Sequence, residues 1–132
     1  MPEMKGFDEI SAEDKERLTL TGINTENMEG RSGSFLLVND HVYHAGSAAE
    51  GIETLMIEQA LEKYEWLKDY FWNIVPADKD EYTKYVAERP QRGYVIIAHK
   101  GAKATFPLQS CMFLQGDTIQ AVHNIVIAEE GS

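Results

Sequence analysis

The chain has 132 residues, about one domain's worth, and its 43% hydrophobic content is enough to bury a core, which argues against disorder. Twenty-two acidic against twelve basic residues give a formal net charge of −10. That balance disfavours binding to a nucleic-acid backbone, which runs on clustered lysine and arginine.

A single cysteine, Cys111, rules out an intrachain disulfide and makes a reducing cytoplasm the expected compartment. The opening residues lack the basic and apolar regions of a secretory leader, and no apolar run approaches the roughly 20 residues of a membrane span. The only local concentration of positive charge, Arg89, Arg92, Lys100 and Lys103, reads as a solvated turn region.

Residues 1–10 read as a weakly ordered entry. Ser11, followed by Glu13 and Asp14, predicts the N-cap and acidic first turn of a short helix over 11–18 that stops before Gly22. The stretch "INTENMEGRSGS" (23–34) is polar and glycine-rich, hence a loop without phosphate-cradle spacing. In "SFLLVNDHVYHAG", two β-prone runs flank Asn39-Asp40, a pair tolerant of positive φ, and predict a hairpin.

The period changes over 52–75. Ala60, Tyr64, Leu67 and Phe71 fall on one helical stripe, while Trp66, Tyr70 and Trp72 lie off it. Two short helices bent near Tyr64, or one helix covered on two sides, both satisfy that pattern, and Pro76 ends it. A further helix is expected over 78–87, with Tyr82, Tyr85 and Val86 facing inward.

From Gly93 onward the sequence reads as strand and turn. "YVIIA" is followed by a turn, then by an extended stretch from Ala104 to Leu114 in which Phe106, Leu108, Met112 and Leu114 share a face. The closing strand, 118–128, places Ile119, Ala121, His123, Ile125 and Ile127 on one face. The fold class is therefore α+β, with a helical and hairpin region over 1–92 and a β-rich unit over 93–132.

The candidate chemistry is sparse. His41 and His44 are three apart in an expected strand and should point to opposite faces, whereas zinc ligands must converge. Cys111 has no CxxC partner and reads as a packed thiol; a nucleophilic role would need a base beside it. His123, on the apolar face of its strand, reads as a packed residue whose ring nitrogens find local partners. Asp78, Asp80 and Glu81, like Glu129 and Glu130, are more simply solvated element ends than acid–base pairs. No P-loop, GxGxxG, GxSxG or HExxH occurs, so these residues do not hydrolyse ATP by the P-loop route.

The segment "GYVIIAHKGAKATFPLQSCMFLQGDTIQAVHNIVIAEEGS" resembles the SufB/SufD family, scaffold components of the Suf iron–sulfur cluster assembly machinery. The resemblance is carried by the strand bounded by Gly93 and Gly101, the strand led by Pro107-Leu108, and the closing "NIVIAEEGS". The preceding "EQALEKYEWLKDYFWNIVPADKDEYTKYVAERPQRG" is similar to the family's short helices, and the likeness is greatest to its short archaeal and anaerobe-type members. It covers residues 50–132 well and the first 50 loosely.

The resemblance implies an N-terminal region leading into a right-handed parallel β-helix. It also implies a non-enzymatic scaffold role, with a SufC-like ATPase and a second SufB/SufD-like subunit as partners. This chain would be a front portion that meets those partners mostly through regions beyond it, and it would self-associate or hide its last strand. Any iron–sulfur cluster would sit transiently on the full assembly, with no cofactor or metal held here. SufB-type members often carry a cysteine just before the strand-leading proline; Phe106 stands there, so no cysteine ligand is carried over.

Two other readings are open. One is a complete small cupin-like or barrel-like domain using His41, His44, His99 or His123 around one metal. The other is an interaction domain whose hairpin pairs with a partner's sheet edge.

Overall fold

The computed structural model describes residues 4–132, so the first three residues of the expected entry segment lie outside the described residues. A 3-10 turn, Phe7–Glu9, leads to α1 (Ala12–Leu20). Ser11 Oγ accepts from Asp14 N at 3.1 Å, the N-cap contact the sequence predicted. The helix runs on to Leu20 and is followed by Gly22 at φ 88, a left-handed conformation that suits glycine.

The expected hairpin forms from β1 (Gly33–Val38) and β2 (His41–Ser47), with Asn39 at φ 52 in its turn. All six residues of β1 are buried, because the strand is central in its sheet and covered on both faces. Leu36 and Val38 pack with Ile10, Leu18 and Ile23 beneath α1. Phe35 and Leu37 face the other way and meet Val42, Met56 and Tyr94.

Residues 52–56 are not helical. They form β3 (Ile52–Met56), where Ile52, Thr54 and Met56 are buried in strict alternation, a period of two that ends where the helical stripe begins. The helix proper is α2 (Ile57–Lys63), followed after Tyr64 by a 3-10 turn, Glu65–Asp69. The bend near Tyr64 is thus real, and the stripe still works as packing. Ala60 and Leu67 are fully buried, with Tyr64 and Phe71 beside them, against Val95, Ile97 and Ile125.

The last helix signal forms as α3 (Glu81–Ala87), capped by Asp80, whose carboxylate accepts from Tyr82 N and Thr83 N. Its inward face is weaker than expected. Tyr82 is 74% exposed, and no residue of α3 is fully buried.

Strand β4 (Tyr94–Ala98) forms as read, but the long extended stretches shorten to β5 (Leu108–Phe113) and β6 (Ile125–Ala128). The face assigned to Phe106, Leu108, Met112 and Leu114 breaks up, since Phe106 and Leu114 lie outside the strand and are exposed. Ile119 is likewise exposed, and 118–124 is irregular, held by His123 N donating to Arg92 O at 2.9 Å and Gln120 Nε2 donating to Phe113 O at 2.9 Å.

Two three-stranded mixed sheets result, in orders β2-β1-β5 and β3-β4-β6. In each, an antiparallel pair, local for β1–β2 but spanning the helices for β3–β4, is extended by one parallel strand from further on. Gly33 to Val38 pair in register with Leu108 to Phe113, and Val95 to Ala98 with Ile125 to Ala128. The sheets face each other across the Phe35, Leu37 and Met56 cluster, with α1 outside one and α2 outside the other. The class is α+β, as the sequence indicated.

Candidate interaction surface

The four histidines and Cys111 occupy separate surroundings. A bulge between Leu36 and Leu37 breaks the alternation expected of β2, so that His41 pairs with Val38 and His44 with Leu36, two residues of the same β1 face. The two are still no ligand pair. His41 is exposed at the hairpin turn, whereas His44 lies stacked on Phe7 with ring centroids 4.4 Å apart. Burial, aided by the nearby Arg31 charge, pushes the His44 imidazole below its usual 6.5.

Cys111 is half-buried against the cluster under α1, and burial pushes its thiol up, which keeps it protonated and a poor nucleophile. Among the described residues, no group of three or more His, Cys, Asp or Glu side chains is arranged to hold a metal ion. The common metal centre required by a cupin-like reading has no counterpart in this geometry.

His99 was only a marginal candidate in the sequence, yet it stands in the densest polar cluster. Its Nε2 lies 2.5 Å from Glu53 Oε2, and its Nδ1 lies 3.6 Å from Glu129 Oε2. The same Glu53 carboxylate accepts from Tyr64 Oη and from Lys63 Nζ, each at 2.5 Å. Burial opposes ionisation of Glu53, but the hydrogen bonds from Lys63, Tyr64 and His99 outweigh it and hold the carboxyl at about 2. The reciprocal hydrogen bond to Glu53 raises His99 above its usual 6.5 against a smaller opposing effect of burial. Sequence spacing could not reveal this cluster, because it depends on β3 and β4 pairing Glu53 with Ile97.

His123 is not in a strand. Its ring stacks on Phe71 at 5.0 Å and meets Trp72 edge-on at 4.2 Å, and its Nδ1 is buried without a partner. Burial lowers its pKa. Trp72 sits at φ 56, a strained conformation for a bulky residue. Together they wall an apolar groove of about 380 Å³ that also takes in Val75, Tyr82 and Val86.

The groove adjoins the free edge of β6, where Val126 is 63% exposed although its pairing partner Ile96 is sheltered. Strands β5 and β6 each end their sheet, so among the described residues each has one side without a strand partner. An unpaired edge beside exposed Ile74, Val75 and Val126 can add a strand or pack an apolar face.

Comparison with curated proteins finds relatives over nearly the whole chain. An iron-sulfur cluster assembly SufBD family protein of Archaeoglobus fulgidus is 43% identical over 132 residues, covering 96% of this chain and 36% of the relative. Over about 95% of its length this chain is homologous to proteins named as SufBD family members. Two further proteins of that family name, from the Delta H and Winter strains of Methanothermobacter thermautotrophicus, are 42% and 39% identical over 129 residues. Each is matched over 94% of this chain and 31% of its own length.

The chain therefore spans about a third of the length of the curated relatives it matches. No family model matches it. The match extends over the first 50 residues as well, where the sequence resemblance was loose. Among the described residues no helix is long and apolar enough to cross a membrane.

Proposed function

We propose that this chain is the front portion of a SufB/SufD-like scaffold, a non-enzymatic component on which an iron–sulfur cluster is assembled as cargo. In this reading residues 1–92 form the entry region and 93–132 the opening coil of a β-helix. The cluster sits transiently on the complete assembly rather than on this chain. A SufC-like ATPase and a second SufB/SufD-like subunit act as partners, largely through regions beyond those matched here, and the compartment is cytoplasmic.

The observation that carries the reading is the parallel return of the chain onto itself. Leaving β4, it crosses to β5 in the facing sheet and comes back as β6, in register alongside β4. A coil of that form stacks further strands on its outer edges, and those edges are open here.

The test is co-expression of the chain with a SufC-like ATPase and a full-length SufB/SufD-like subunit, followed by anaerobic addition of iron and sulfide. The complex should take up both, and the 132-residue chain alone should hold neither. Stoichiometric metal retained by the chain alone, and lost on changing its histidines to alanine, would overturn the proposal.

A further inference from the structure

We propose that His99 is a proton-operated clasp that fastens the turn after β6 to strand β3 across the end of β4. The ring stands between two carboxylates from different elements, Glu53 on β3 and Glu129 just beyond β6. A neutral imidazole carries one N–H, so it can donate to one carboxylate only and must turn a lone pair toward the other. An imidazolium donates from both nitrogens and satisfies both carboxylates together.

The surroundings decide which contact gives way. Glu53 is held by Lys63 and Tyr64 as well as by His99, so it keeps its position in either state. Glu129 depends on His99 and on the backbone N–H of Lys100, which donates to its Oε2 at 2.8 Å. Lys100 Nζ faces Glu130 at 3.2 Å, not Glu129, and Lys103 Nζ donates to Gly131 O at 2.6 Å. The groups facing His99 are thus Glu53 from β3, Lys63 and Tyr64 from the end of α2, Glu129 from the turn after β6, and Lys100 from its own turn. The 3.6 Å arm to Glu129 is the weaker of the two, and loss of the proton releases it first.

What the clasp controls is the exit from β6. Gly101 N donates to Glu130 O at 3.0 Å, and Glu129 N to Ala98 O at 2.9 Å, so these two amides report whether the turn is seated on β4. Protonation seats it and deprotonation loosens it, which makes the shape of the open β6 edge respond to pH close to neutrality.

Two-dimensional NMR of the histidine rings, with amide exchange across roughly pH 5 to 9, tests this. In the native chain His99 should titrate above its usual 6.5, and the protection factors of Gly101 and Glu129 should fall about twofold to fivefold through that same midpoint, as an exposed pair allows. In Glu129→Gln the His99 midpoint should drop and the pH dependence of Gly101 protection should vanish. Flat protection through the His99 midpoint in the native chain, or a midpoint unmoved by Glu129→Gln, would overturn the proposal.

Discussion

Gly93 lies directly beneath the backbone of His123, so close that a Cβ at this position would run into the His123 carbonyl oxygen and stand 2.6 Å from Asn124 Oδ1. The contact joins the start of β4 to the segment that brings the chain into β6. Tyr94 N donates to Asn124 Oδ1 at 3.1 Å, and His123 N donates to Arg92 O at 2.9 Å. With φ 117, Gly93 is also in a region that side chains avoid. Gly93→Ala should therefore cost at least about 2 kcal/mol in chemical denaturation, since strain and backbone overlap act together. Loss of amide protection should be concentrated at residues 123–127. A variant as stable as the native chain would mean that these two segments are not in contact.

Glu53 is the hub of the charged cluster, and Glu53→Gln removes its charge and replaces one of the two oxygens that together serve three hydrogen bonds with an NH2 donor. The expected loss is about 1–3 kcal/mol near neutral pH. Because its carboxyl is held at about 2 when folded against an ordinary 4.5, its contribution is complete above 4.5. It disappears as pH falls from 4.5 toward 2. Urea midpoints measured through that window should converge for the native chain and the variant.

Burial separates two neighbouring aliphatic residues cleanly. Ile97 is fully buried beneath α2, so Ile97→Ala should cost about 2–5 kcal/mol. Val126, in the strand beside it, is 63% exposed, and Val126→Ala should stay within about 0.5 kcal/mol. Thermal melts of the two variants side by side check this contrast.

His123 offers a pH response of opposite sign to His99. Its folded pKa is lowered by burial, so the neutral ring stabilises the fold above 6.5, and that contribution is lost as pH falls. The ring touches Trp72, and in a Trp66→Phe background the remaining indole should report protonation of His123. Its fluorescence should change at a midpoint below 6.5, and the change should be absent from His123→Phe.

Local signals in the sequence were reliable where the residues concerned act on their own backbone. Ser11 as a cap, Asn39 in the hairpin turn and the stripe from Ala60 to Phe71 all serve as read. The misreadings have one physical source, which is that strand length and facing depend on partners distant in sequence. Ile119 lies on the expected apolar parity, but β4 offers paired backbone only from Val95 to Ala98, so the closing strand cannot extend back to it. His41 and His44 were assigned opposite faces, and a single bulge undid the alternation. Residues 52–56 were drawn into the helix because β4, which pairs with them, begins only at Tyr94. The Glu53–His99 pair was invisible for the same reason. The family, in contrast, was legible from the order of its segments, and the curated relatives bear that out.

The central claim is that the coil formed by β4, β5 and β6 ends in open edges built to receive further strands. Sedimentation of the purified 132-residue chain over a wide concentration range tests it most directly, with Val126→Lys as the comparison. The account predicts reversible association that strengthens with concentration and weakens in the lysine variant, because a charge on an edge strand opposes pairing. A native chain that remains a monomer throughout, with no apolar surface detectable by dye binding, would contradict it.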